Sequence, residues 1–399
     1  MKLFQKLLLA PAALGLFAPV VANANESNFR DVTSYSQQVD ISTESFKPLS
    51  NKNPLLAGGE GSNQSNTGSG SFDVDTFSST TTASFTVNAA LGKVDGLTPA
   101  QDKLGLNFDW EAALSTSFTG NDSLDVVLNA GVSNLFTELD MTNTSKAQVQ
   151  VDTISYTRSF DRVSAFFASG DGVAGSGLYN TACVYGAQAD TLSNCGVSAA
   201  NIDEGLGTAL GVSFNFENGL SFALGYEGQG MVAGEVGLLS QNGADAFGGQ
   251  LAYTGDSYGV SISWANIDNH SDANVRSTGA TQSTGINAYY SPDLANFPSL
   301  SLGLESLHDD SITGTALDEK SMYFLGLQWD EFFGDGSFGA AMGSKVPTPE
   351  NSDAVTMYEV YYSYNYADGI TITPLIYSKD HSGSTPSETG VVVKTELSF

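Results

Sequence analysis

From about residue 81 to the last residue, apolar and polar side chains take turns along the chain. The clearest run is Leu104 to Phe118. Leu104, Leu106, Phe108, Trp110, Ala112, Leu114, Thr116 and Phe118 hold one parity, with Gly105, Asn107, Asp109, Glu111, Ala113, Ser115 and Ser117 on the other. Side chains alternate across a β-strand, so one face is apolar and the other polar throughout. Strands of soluble sandwiches usually run about 5 or 6 residues, whereas this length fits a tilted strand crossing a bilayer. The pattern recurs at Leu124 to Val132, Leu210 to Phe216, Tyr258 to Trp264 and Tyr323 to Trp329. These apolar parities carry no charge, as lipid contact requires.

Such segments number about sixteen, an even count within the usual range for bacterial barrels. The predicted fold is therefore all-β, a transmembrane antiparallel β-barrel of about sixteen strands. Connections alternate between short turns, such as Gly120-Asn121-Asp122, Ser159-Phe160-Asp161, Glu217-Asn218-Gly219, Gly255-Asp256-Ser257 and Ala367-Asp368-Gly369, and long polar loops, such as Glu138 to Ala147, Gln229 to Ala244 and Asn269 to Gln282. Short periplasmic turns and long external loops are the expected barrel asymmetry. Phe118, Phe160, Phe216, Tyr253, Trp329, Tyr366 and Phe399 sit beside short turns or at the C-terminus, where one aromatic girdle would lie. A parity change within Val149 to Arg158 predicts a bulge, and Pro374 predicts a second irregularity because it lacks a ladder donor.

The first 24 residues read as a secretory signal: Lys2 and Lys6, an apolar run from Leu7 to Val21, and the small-residue site Ala22-Asn23-Ala24. No later stretch approaches the roughly 20 apolar residues of a spanning helix, so membrane entry requires a closed sheet. Residues 25–78 are rich in Ser, Asn, Thr and Gly without a sustained period and read as a flexible periplasmic leader, leaving residues 79–399 as the barrel.

The net charge is −29, and loss of Lys2 and Lys6 with the signal lowers it by two more. Such acidity excludes a nucleic-acid partner and favours an aqueous cavity that tolerates cations. Parity places Asp109, Glu111, Asp125, Glu227, Glu305, Glu359, Lys394 and Glu396 on the lumen face, and a surplus of carboxylates there predicts cation preference. The longest connection, Gly170 to about Glu204, holds Asp171, Asp190, Asp203 and Glu204 with no Lys or Arg. It also carries Cys183 and Cys195, expected in an exported protein to form a disulfide. Arg158 and Arg162 are expected at the periplasmic rim. His270, His308 and His381 fall in predicted external loops, and no nucleophile, base and orienting group assemble from spacing, so no enzyme, cofactor or metal site is expected. Acidic runs such as His308-Asp309-Asp310 suit divalent cations at a lipopolysaccharide surface without diagnostic spacing.

The signal segment MKLFQKLLLAPAALGLFAPVVANA, the stretch from Leu251 to Gly259, GLQWDEFF at Gly326 to Phe333, ITITPLIYS at Ile370 to Ser378 and the terminal VVVKTELSF resemble the cyanobacterial Som-type porins, within the OprB carbohydrate-selective porin family. The resemblance implies a trimeric outer-membrane protein passing ions and small hydrophilic solutes, with Phe399 closing a strand read by the barrel-assembly machinery. Family members carry an S-layer-homology domain and a coiled coil between signal and barrel. Residues 26–78 are too short and polar for either, although VTSYSQQVDIS is similar to the family's leader, so cell-wall anchoring is not expected. In general porins the third long loop folds inward and narrows the lumen; a loop that caps the mouth from outside is the alternative. Passive diffusion is the leading expectation, and a plugged barrel serving as a surface receptor or adhesin is the second.

Overall fold

The computed structural model describes residues 81–96, 103–132, 136–139, 141, 148–230, 237–239, 243–268, 280–294, 296–309, 317–345, 354–381 and 387–399. The expected signal (residues 1–24), leader (25–78) and His270 lie outside these. Thr80–Phe399 form one unit.

Sixteen strands make up that unit. They are β1 (Thr81–Asp95), β2 (Gly105–Thr116), β3 (Asp122–Val132), β4 (Gln150–Phe160), β5 (Val163–Gly170) and β6 (Gly207–Asn215). Next come β7 (Leu220–Gln229), β8 (Asp245–Thr254), β9 (Tyr258–Asp268), β10 (Ala280–Tyr290) and β11 (Ser299–Asp309). The last are β12 (Leu317–Trp329), β13 (Ser337–Lys345), β14 (Val355–Ala367), β15 (Ile370–Lys379) and β16 (Glu388–Ser398). Each pairs antiparallel with its neighbours in sequence, and β1 pairs with β16 to close the barrel. Closure leaves no edge strand to present a row of unpaired backbone groups to the surroundings. Among the described residues no helix is long and apolar enough to cross a membrane.

The two parities separate as the alternation requires. Leu106, Phe108, Leu210, Leu251, Val260, Ile262, Trp264, Leu302, Leu304, Tyr358 and Val360 are exposed on the outer face. Gln250, Ser261, Ser263, Asn287, Ser301 and Glu359 are buried on the inner one. Polar groups inside and an uncharged apolar belt outside are what lipid and an aqueous lumen together select.

At one end of the barrel the connections are short. Asp122 organises the β2–β3 turn, its carboxylate accepting the N–H groups of Phe118 (3.1 Å) and Thr119 (2.7 Å) and the hydroxyls of Ser117, Thr119 and Tyr156. Gly369 turns β14 into β15 at φ 71°, where a Cβ would collide with the carbonyl of Ser398. Phe118, Phe160, Phe216, Tyr366 and Phe399 are exposed around this end, together with Tyr258 and Tyr290. Arg158 stacks over Phe160 at 4.8 Å and Arg162 pairs with Glu217 of the neighbouring turn, so both arginines occupy this rim.

The predicted bulge is present: the β3–β4 register shifts at Val127/Leu128, which leaves Asp152 as the extra residue. At Pro374 the irregularity is milder. The β14–β15 ladder pairs Tyr361 with Leu375 and Tyr364 with Ile372 and passes over the positions between without a register slip. A 3.0 Å contact between Ser363 Oγ and Thr373 Oγ1 spans the gap. Two expectations need correcting. His308 lies in β11 near its loop end, not in a loop, because the β11–β12 ladder extends past it to Asp309. Glu138, expected in an external loop, is buried inside the barrel.

Candidate functional site: the loop-lined lumen

The third long connection, residues 171–206, enters the barrel, runs along the inner wall from β7 to β14 and returns. Its outgoing limb gives backbone N–H groups to inward side chains of β8, β9, β11, β12 and β14 in turn. Asn180 donates to Gln250 Oε1 (2.7 Å), Ala182 to Ser261 Oγ (3.0 Å), and Val184 and Tyr185 both to Ser301 Oγ (3.1 Å). Gly186 donates to Gln328 Oε1 (2.8 Å), and Gln188 and Ala189 to Glu359 (3.2 and 3.0 Å).

The returning limb lies nearer the loop end of the same strands. Asn287 Nδ2 donates to the carbonyl of Asn194 (3.1 Å). Ser198 and Ala200 donate to Glu305 (3.3 and 2.6 Å), and Ser263 Oγ to Asn201 Oδ1 (2.6 Å). Gly175 (3.2 Å), Glu204 (3.4 Å) and Leu206 converge on Glu227, which clasps the two roots of the loop together. A loop in this position has no ladder of its own, so its buried amides need side-chain acceptors, and the wall supplies them.

Cys183 on the outgoing limb and Cys195 on the returning limb are joined by a disulfide, with Cα atoms 6.0 Å apart. Gly303 lets the returning backbone touch the wall, since a Cβ there would collide with the carbonyl of Cys195. Leu192 and Ile202 are fully enclosed between loop and wall. Enclosing a side chain of this size is worth about 1.5–3 kcal/mol. The loop therefore folds inward; it does not cap the mouth from outside.

Residues 136–139 and 141 of the second long connection also enter. Phe136, Leu139 and Met141 pack with Ala90, Val94, Met357, Tyr377 and Val392 against the tip of the third loop. Glu138 pairs with Lys379 of β15 and accepts the N–H and Oγ1–H of Thr191 (3.3 and 2.8 Å).

The inward carboxylates thus fall into two groups. Glu227, Glu305 and Glu359 are 0%, 3% and 1% exposed and are spent on loop amides, so they do not line open space. Asp109, Glu111, Asp125, Lys394 and Glu396 stay partly exposed on the wall that the third loop leaves uncovered. Glu396, Asn88 and Asp109 face one another across β16, β1 and β2. Glu111 feels the charges of Asp152 and Asp109, and Asn129 Nδ2 donates to Asp152 at 2.5 Å. The alternation gave no reason to choose Asp152; only the bulge turns it inward. Of the loop acids, Asp171 and Asp190 are exposed, the latter 3.7 Å from Lys345, while Asp203 accepts Asn194 Nδ2 (2.7 Å) and Glu204 stands at the loop root. His381 bonds Glu388 at 2.9 Å, and among the described residues no group of metal-ligating side chains gathers.

Inward parity and a polar side chain mark each of the anchors Gln250, Ser261, Asn287, Ser301 and Gln328, but so they do many inner-face residues that hold no loop amide. The inward apolar positions of β1 and β14–β16 carry a different signal, a break in the polar habit of the inner face.

No family model and no curated protein matches the chain. Solved structures do share its fold. OprB of Pseudomonas putida superposes with a TM-score of 0.58 at 9% identity, covering 80% of this chain and 94% of that one. An anion-selective porin from Comamonas acidovorans gives 0.53 at 14% identity, with 80% and 99% covered. A mutant porin of Rh. blastica gives 0.50 at 13%, with 80% and 100% covered.

Proposed function

We propose that this protein is an outer-membrane porin through which ions and small hydrophilic solutes, carbohydrates among them, diffuse passively. The observation that carries the reading is a closed sixteen-stranded barrel whose third loop is pinned inside the lumen along one wall. Sixteen strands enclose more space than wall side chains fill, and an inward loop converts that space into a constriction. The short turns and their aromatic girdle then face the periplasm, the long loops and their acids face the lipopolysaccharide surface, and residues 1–24 and 25–78 serve as signal and periplasmic leader. The strand ending at Phe399 is the segment offered to the barrel-assembly machinery, and the working unit is a homotrimer.

Cation preference follows from the uncovered wall. Asp109, Glu111, Asp125, Asp152 and Glu396 stand there against Lys394, and a lumen of one dominant sign repels the opposite ion. A neighbour in fold is described as anion-selective, so the barrel itself does not fix the sign; the side chains of this wall do. Reversal potentials in planar bilayers under a KCl gradient test it, with anion preference as the outcome that sinks it. Liposome swelling with sugars of graded size tests passage of carbohydrates.

A second reading has its own observation. The second loop joins the third inside the lumen, which suits a plugged barrel acting as a surface receptor or adhesin. Absence of single-channel conductance would favour that reading.

A further inference from the structure

We infer that the Glu138–Lys379 ion pair clamps the second loop into the lumen, so that the second and third loops form one constriction whose width this pair sets. The inference rests on the porin reading above and adds a positioning residue to it.

An inner face that borders water should carry polar side chains. At their loop ends β1, β14, β15 and β16 depart from this, turning Val94, Met357, Tyr377 and Val392 inward, where all are buried. Such a patch needs an apolar cover, and Phe136, Leu139 and Met141 of the second loop supply it. Phe136 is 0% exposed although it belongs to a connection between strands. Residues 136–139 and 141 of the second loop are therefore seated on this patch as a wedge.

Apolar contact is non-directional and would tolerate sliding along the patch. The directional element is Glu138, which occupies the middle of this apolar cover with its side chain 7% exposed. One of its oxygens meets Lys379 of β15, and the other accepts both the amide and the hydroxyl of Thr191. Buried ion pairs add little net stability but define a register, because a misplaced loop leaves two buried charges unpaired. Thr191 follows directly on the segment whose Gln188 and Ala189 amides are held by Glu359. Glu138 thereby ties the wall, the wedge and the far end of the third loop into one assembly.

The experiment uses the full-length protein, recorded as single channels in KCl and, in liposomes, challenged with sugars of graded size. Lys379→Met and Glu138→Gln should each raise unitary conductance by roughly 1.5- to 2-fold and admit a larger sugar, since pore radius governs both. The exchanged pair E138K/K379E should return part of the way to wild type, which a general loss of packing would not allow. Thr191→Val leaves both charges in place and should give a smaller rise, and it serves if the charge variants fail to assemble, as judged by unheated electrophoretic mobility. Wild-type conductance and sugar limit in the assembled variants would overturn the inference and leave the porin reading standing. A wild-type protein that forms no channel removes the porin reading and the inference with it.

Discussion

The phenol of Tyr185, in the third loop, donates to Oε1 of Glu359 on β14 at 2.8 Å, and both groups are sealed between loop and wall. Burial, reinforced by the carboxylate of Glu359 and the neighbouring Tyr361, pushes the phenol above the ordinary tyrosine range. A folded-state pKa above the unfolded value of about 10 means that the contact is fully present below that pH and is lost only as pH rises through the higher value. The hydroxyl therefore remains a donor at neutral and moderately alkaline pH. A hydrogen bond is worth about 0.5–1.5 kcal/mol net, so Tyr185→Phe should speed amide exchange of the loop tip by roughly 2- to 10-fold. Glu359→Ala should do more, because it strands the amides of Gln188 and Ala189 as well. Unchanged exchange in Glu359→Ala, read by mass spectrometry, would refute the anchoring role.

The Cys183–Cys195 bridge acts on the same loop from within. The two residues are 12 apart in sequence, and closing a loop of that size is worth about 3 kcal/mol in the chain-entropy account. The barrel ladders make no use of the bridge. The double variant Cys183→Ser/Cys195→Ser should keep the folded mobility of the barrel on unheated gels, while open-channel current noise rises. Treatment of the wild type with a thiol reductant should reproduce the noise. A quiet channel in both cases would mean that wall contacts alone hold the limbs.

Much of this fold could be read from parity. A strand exposed to lipid on one face and water on the other writes its orientation into every second residue, so Leu104 to Phe118 and Tyr258 to Trp264 declared both strand and face. The lumen was less legible. Parity puts Glu227, Glu305 and Glu359 on the inner face, but alternation says nothing about what stands in front of a side chain, and their burial under loop amides changes what they do. Asp152 escaped because a bulge breaks the period that would have revealed it. Glu138 escaped for a different reason: a loop residue has no period, and its partners Lys379 and Thr191 lie 241 and 53 positions away.

The division of inward carboxylates into anchored and open groups has a direct electrical consequence. Asp109→Asn, Glu111→Gln and Asp125→Asn act on the uncovered wall and should each move the KCl reversal potential toward zero, with Asp152→Asn joining them. Glu227→Gln and Glu305→Gln alter groups shielded beneath the third loop and should leave the reversal potential close to wild type while raising current noise. The contrast is the test. Equal shifts from both groups would mean that permeating ions reach the anchors, and the loop would then have to stand off the wall.

The barrel closes at the seam between β1 and β16. Phe399 exchanges backbone hydrogen bonds with Phe85 in both directions at 3.0 Å, and the two rings stack with centroids 5.5 Å apart. An aromatic pair of this kind is worth about 0.5–1.5 kcal/mol beyond its buried area. Phe85→Ala and Phe399→Ala remove the same stack, so they should lower the temperature at which the barrel unfolds on heated gels by similar amounts. Assembly should separate them. If the terminal aromatic is also the residue offered to the assembly machinery, Phe399→Ala should slow insertion in pulse-labelled cells whereas Phe85→Ala should not. Equal insertion rates would confine Phe399 to sealing β1 against β16.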